Sequence, residues 1–210
     1  MRYMRSLTTT CLTLTAITAL AQAQSLPSGI YLNLDQLKAR APAAKATLNV
    51  TRRSSGDIVM MGGNDYRLEG IGDTLETKYL KRDVYAYASN DSLFLNCFHQ
   101  KLGPWYALAL CQGEFLVYRA AITTPYAWMG GAVGGAIAAG NRQLYVLSLR
   151  TGNTRPLNKE YVIARLEDRG MTELLSAYTA EGQQDSVEVL LRYVELLNAD
   201  LAAGAGGSGP

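Results

Sequence analysis

Between Asp83 and Ala120 apolar residues recur at alternate positions in four short runs, separated by Ser-Asn-Asp-Ser, His-Gln-Lys-Leu-Gly-Pro and Gln-Gly. A period of two between turn-forming clusters predicts an antiparallel meander. A two-residue turn at Asn90 and Asp91 would pair Tyr87 with Phe94 and Ala86 with Leu95, because turn length sets register. A similar turn at Gln112 and Gly113 would pair Leu110 with Phe115 and Leu108 with Val117. One face then carries Val84, Ala86, Leu93, Leu95, Leu108, Leu110, Phe115 and Val117. The other carries Tyr85, Tyr87, Phe94, Ala107, Ala109, Leu116 and Tyr118. Both faces are apolar, so both are expected to be covered.

Upstream, Gly29 to Leu32 reads as a short strand. A helix follows, capped by Asn33 with Gln36 as reciprocal partner and closed by Pro42. Leu48 to Arg52, Asp57 to Met61, Tyr66 to Glu69 and Thr74 to Leu80 read as strands between glycine-bearing turns. Residues 143 to 149 restore strand alternation. Asn158 then caps a helix to about Asp168 that Gly170 stops. A short helix over Thr172 to Ala180 precedes a longer one from Gln184 to Asn198, whose stripe of Val187, Leu190, Leu191, Val194 and Leu197 is predicted to pack on the sheet. The fold class is therefore α+β: a meander sheet of about seven to nine strands with a short N-terminal helix and two or three C-terminal helices packed on it.

The start of the chain changes the picture from fold to compartment. Arg2 and Arg5 precede an uncharged, mostly apolar run from Leu7 to Leu20, and Ala21-Gln22-Ala23 supplies a small-x-small cleavage pattern. This predicts a signal peptide over residues 1–23, a single domain over 24–200, and export to the periplasm or cell envelope of a Gram-negative bacterium. Cys11 stands at the front of the apolar run, where a lipoprotein cysteine would follow it. Losing Arg2 and Arg5 brings the 20 basic residues level with the 18 acidic ones. A neutral chain gives no electrostatic case for nucleic acid as a partner. An envelope protein or a membrane surface is the partner class that remains. Cys97 and Cys111 suggest a disulfide in such a compartment, but the register sends Cys97 to the face of Leu93 and Cys111 to that of Ala107, so no bridge is expected.

Residues 125–142 form a Gly/Ala-rich insertion. From Ala127 to Gly140 no residue is charged, and Trp128, Gly130, Gly131, Gly134 and Gly135 make it the candidate interaction segment. A loop, a packed helix, a membrane-contacting segment and a partner-binding element all fit this pattern. The tail over 201–210 offers little to bury and is expected to be disordered.

Chemistry is sparse. One histidine, His99, sits in a predicted turn, which leaves no two-histidine metal site within one chain, and no cofactor is expected. The glycine run lacks both the dinucleotide and the phosphate-loop spacings. Asp65, Glu69, Asp73, Glu76, Asp83, Asp91 and Glu114 lie among the strands, where two carboxylates across a cleft would make a hydrolase, but nothing selects a pair. The thirteen tyrosines suit strand positions. A non-enzymatic binding or structural role is therefore expected, with a membrane-associated protein using 127–140 or a carboxylate-dependent hydrolase as alternatives.

Taken together, GIYLNLDQLKARAP, YAYASNDSLFLNC and LYVLSLRTG resemble a family of exported, uncharacterised bacterial proteins with a Gly-Ile-Tyr strand, a β-meander and C-terminal helices. The matching positions are Gly29, Ile30, Tyr31, Tyr87, Leu93, Leu95 and Asn96. The resemblance implies an envelope location and no known activity.

Overall fold

The computed structural model describes residues 26–71, 75–121 and 142–206. Its frame is a nine-stranded antiparallel sheet. The strands are β1 (Gly29–Tyr31), β2 (Leu48–Arg52), β3 (Tyr66–Gly70), β4 (Ala86–Ser89), β5 (Ser92–Asn96), β6 (Tyr106–Cys111), β7 (Phe115–Ala121), β8 (Arg142–Ser148) and β9 (Thr154–Pro156). The main path runs β1-β4-β5-β6-β7-β8-β9, and the β2–β3 hairpin branches from it where Tyr66 pairs with Tyr106. The helices among the described residues are α1 (Leu34–Lys38), α2 (Ser55–Met61), α3 (Thr77–Arg82), α4 (Lys159–Asp168), α5 (Thr172–Thr179) and α6 (Val187–Gly206). The α+β meander with C-terminal helices is thus the fold.

The β4–β5 hairpin forms in the expected register, Tyr87 opposite Phe94 and Ala86 opposite Leu95. Asn90 and Asp91 both adopt positive φ, 49° and 61°, the turn conformation whose twist matches the two strands. The next two connections depart from expectation. Leu95 faces Ala107, so the alanines of β6 share the face of Ala86 and Leu95 rather than that of Tyr87. Further along, Ala109 pairs with Tyr118 but Cys111 with Val117, which makes Leu110 the extra residue of a β-bulge and leaves it 42% exposed. The predicted pairings of Leu110 with Phe115 and Leu108 with Val117 do not occur. Cys97 and Cys111 do end on opposite faces and are free, yet by a different route: the turn brings Ala107 to the side of Cys97, and the bulge then turns Cys111 away.

One sheet face folds upon itself. Tyr31, Ala86, Leu95, Ala107, Tyr118 and Leu147 belong to one core, joined by Leu37 of α1. The sheet curls enough for α1, which follows the first edge strand, to touch the turn before the last: Lys38 Nζ donates to the Arg150 carbonyl at 3.3 Å. Gln100, in the β5–β6 loop, spans the same gap by accepting from Thr154 Oγ1 at 2.6 Å and donating to Tyr85 Oη at 2.9 Å. The outer face is covered in two parts. The β2–β3 hairpin and α3 bury Ile30, Tyr87, Phe94 and Tyr106, while α4, α5 and α6 bury Phe115, Val117, Leu144 and Val146.

Two predicted strands are helices. Asp57–Met61 lies in α2 because Ser54 and Asp57 close a capping box, each side chain accepting from the other's amide. In place of the predicted strand Thr74–Leu80, whose first residue lies outside the described residues, residues 77–80 belong to α3, whose Tyr79 and Leu80 pack into the outer core with the preceding Leu75. β9 had no alternation to announce it. Helix α6 begins at Val187 and continues to Gly206, so residues 201–206 of the expected disordered tail are helical. Its buried stripe is also rotated: Val189, Leu190, Tyr193, Val194 and Leu197 are buried, Leu191 is only partly so, and Val187 is exposed.

Candidate functional site

The residues with the most unusual local chemistry gather where α2 leads into β3. The chain reads Arg53-Ser54-Ser55-Gly56-Asp57-Ile58-Val59-Met60-Met61-Gly62-Gly63-Asn64-Asp65. Ser54 starts the helix, Ile58 buries its inner side, and Gly62 at φ 64° ends it. Arg53 holds this unit from beneath. Its guanidinium donates to the carbonyls of Gly62 at 2.7 Å, Asn64 at 2.9 Å and Asp57 at 2.9 Å, satisfying acceptors that the end of a short helix leaves open. Burial lowers the pKa of Arg53, Asp57 and Asp65 oppose that, and Arg142 and Arg67 add to it.

Asn64 is fully buried and uses its whole amide. Nδ2 donates to the carbonyls of Leu102 at 2.9 Å and Pro104 at 3.2 Å, and Oδ1 accepts from the Ala121 amide at 2.8 Å. The neighbouring Asp65 meets Arg142 at 2.7 Å. That contact is an ion pair off the hydrogen-bonding direction, and neither terminal nitrogen of Arg142 has a hydrogen-bond acceptor among the described residues. Ala121 and Arg142 are cross-strand partners, the last residue of β7 and the first of β8. Two consecutive side chains of one loop therefore grip both strands at the points where the Gly/Ala-rich insertion leaves and returns.

Trp105 lies against this loop, 7% exposed and at φ 77°, a conformation that bulky residues rarely take. Gly63 permits the approach, since a Cβ there would stand 2.8 Å from the indole Cδ1. Three cations surround the ring: Lys81 Nζ at 4.0 Å from its centroid, Arg53 at 5.1 Å and Arg67 at 5.7 Å. The indole quadrupole attracts such charges. Arg67 is neutralised by Glu69 at 2.7 Å, whereas Arg52, Arg53 and Lys81 pair with no carboxylate among the described residues. On the helix that Arg53 ties down, Met60 and Met61 are 76% and 69% exposed. A helix fixed in place with two protruding apolar side chains is equipped to hold a partly apolar surface.

The candidate segment with Trp128, Gly130, Gly131, Gly134 and Gly135 lies outside the described residues; the structure shows only its anchorage. His99 is exposed on the β5–β6 loop, its ring 5.4 Å from that of Tyr85. Desolvation there lowers its pKa, opposed by the backbone of Val84 and Arg82 and by Asp83. Three of the carboxylates weighed for hydrolysis are engaged within the fold. Asp65 pairs with Arg142 and Glu69 with Arg67, while Glu114 accepts from Ser148 Oγ at 3.1 Å and the Arg150 amide at 2.8 Å. Glu76 and Asp83 flank α3, Asp91 forms a turn, and Asp73 is outside the described residues. Among the described residues no group of His, Cys, Asp and Glu is placed to hold a metal, and no helix is long and apolar enough to cross a membrane. Sequence reasoning gave no part in this corner to Trp105 or Asn64, although Ser54-Ser55-Gly56-Asp57 carried the helix start and Gly62-Gly63-Asn64 the turn.

Residues 29–201 match a family described as a family of unknown function, DUF6563. No curated protein and no solved structure matches the chain.

Proposed function

The chain belongs to this family of unknown function, and from that premise we propose that it is an exported, envelope-associated domain that acts by binding rather than by catalysis. The observation that carries the reading is the corner around Trp105. There a buried arginine and a buried asparagine spend their hydrogen bonds on immobilising a short helix and a loop, so that the helix carries an exposed methionine pair and Lys81, with no carboxylate partner among the described residues, covers the indole nearby. Surfaces of that kind recognise partners. The basic, apolar and small-x-small order of residues 1–23 supports export.

Fractionation of the native host with mass spectrometry of the N-terminus tests this reading. The expected result is a chain starting near Gln24 in the envelope or periplasmic fraction. An unprocessed chain in the cytoplasm would overturn it.

A further inference from the structure

Met60 and Met61 carry two large apolar side chains that the fold does not use. Neither belongs to any of the buried cores, and α2 meets its need for burial through Ile58 alone. Burying one such side chain is worth roughly 1.5–3 kcal/mol, and the fold forgoes that at two successive positions. Their exposure is also lasting, because Arg53 ties the carbonyls of Asp57, Gly62 and Asn64 together around the end of the helix.

What such a pair offers is sulfur chemistry. A thioether needs no deprotonation before it reacts, so its attack on a peroxide is governed by access. Access divides the sulfur atoms of the described residues into two groups. Met171 packs against the core covered by α4, α5 and α6, and Cys97 and Cys111 are both buried. A thiol is ordinarily oxidised ahead of a thioether, but it reacts as the thiolate. Burial pushes the Cys111 thiol up to about 11 and raises that of Cys97 as well, so both stay protonated at neutral pH. The fold thus withholds its thiols and leaves two thioethers open.

We propose that Met60 and Met61 form a reversible oxidation site, at which a peroxide converts each thioether to the sulfoxide without unfolding the domain and a sulfoxide reductase restores it. The sulfur lone pair attacks one peroxide oxygen, and the S–O bond forms as the O–O bond breaks. The proton of the transferred oxygen passes to the departing hydroxide, which leaves as water. Sulfur is oxidised by two electrons and the peroxide is reduced by two. On the return, a dithiol gives up two electrons to become a disulfide, and the oxygen leaves as water. The modification rests on exposure and sulfur chemistry alone. Its consequence rests on the binding role proposed above, since a sulfoxide is polar and the pair would lose the apolar character on which that role draws.

Peptide mass spectrometry of residues 24–210, treated with hydrogen peroxide at neutral pH, tests the assignment. The expected result is that Met60 and Met61 each gain one oxygen roughly tenfold faster than Met171 and before either thiol is oxidised, with the melting transition unmoved. Incubation with the two epimer-specific methionine sulfoxide reductases and dithiothreitol should then remove both oxygens. In urea, where the protection given by the fold is gone, Met171 should react as fast as the pair. A pair no faster than Met171 in the folded protein, a thiol oxidised first, a melting transition lost on oxidation of the pair, or sulfoxides that the reductases leave in place would each overturn the proposal. So would a rate difference that persists in urea, because the fold would then not be its cause. All of these outcomes leave the envelope-binding role intact, which the fractionation tests separately.

Discussion

Asn198 and Phe115 lie 83 residues apart and exchange two hydrogen bonds, the Phe115 amide donating to Oδ1 at 2.8 Å and Nδ2 donating to the Phe115 carbonyl at 2.9 Å. The side-chain amide does for the start of β7 what a neighbouring strand would do, and so seats α6 on the sheet. Gly113 makes room for it, since a Cβ there would come within 2.4 Å of Asn198 Cγ.

Asn198→Ala should lower stability by about 1–3 kcal/mol through the two orphaned backbone groups. Gly113→Ala should cost a comparable amount by displacing the same side chain. Because both act on one contact, the double variant should lose clearly less than the two separate losses combined. Urea unfolding of the four proteins checks this, and additive losses would show that the contact is not shared.

Asn64→Ala should cost at least about 2 kcal/mol, since the Ala121 amide and two carbonyls lose their partner in a buried place. Hydrogen exchange localises the effect. The Ala121 amide should exchange faster in this variant, whereas Asn96→Ala, which frees the carbonyls of Lys81 and Val84, should leave it protected.

Val194 is fully buried against the outer face of the sheet, while Leu191 is only partly buried. Val194→Asp should therefore abolish cooperative unfolding, and Leu191→Asp should leave a weakened but distinct transition. A melting curve for each settles the order. Leu197→Ala should fall between them, at about 2–5 kcal/mol.

Burial pushes the Cys111 thiol up to about 11, above the ordinary thiol range, partly offset by the Asn198 amide. Its folded pKa is raised, so its contribution to stability is complete below the unfolded value and is lost as pH rises toward 11. The unfolded chain releases this proton first, and the slope is at most about 1.4 kcal/mol per pH unit for one group. The urea midpoint should fall across pH 9 to 11, and less steeply in Cys111→Ala. Native thiols should also resist a disulfide reagent at pH 8, since Cys97 is buried and its pKa is raised as well. Rapid modification of either before unfolding would contradict this.

Elements whose pattern was unambiguous emerged where the residues placed them. Asn90-Asp91 set the β4–β5 register, and Asn158 caps α4, its Oδ1 accepting from the Tyr161 amide. Short apolar runs were harder. Ile58-Val59-Met60-Met61 suits a strand as well as a helix until the Ser54–Asp57 capping box is weighed. The bulge at Leu110 left no sequence mark, because an inserted residue changes which face a side chain takes without changing the apolar character of the strand.

The amino-acid sequence by itself determined the class of this protein: local alternation makes strands, caps and glycines end helices, and those choices depend on near neighbours. Tertiary structure alone decided the site. Arg53, Asn64, Lys81, Trp105 and Arg142 meet only because β3 branches from β6 at the Tyr66–Tyr106 pair and the loop after α2 reaches across to β7 and β8. Convergence of residues so far apart in the chain follows from how the sheet pairs and curls, and no local spacing encodes it.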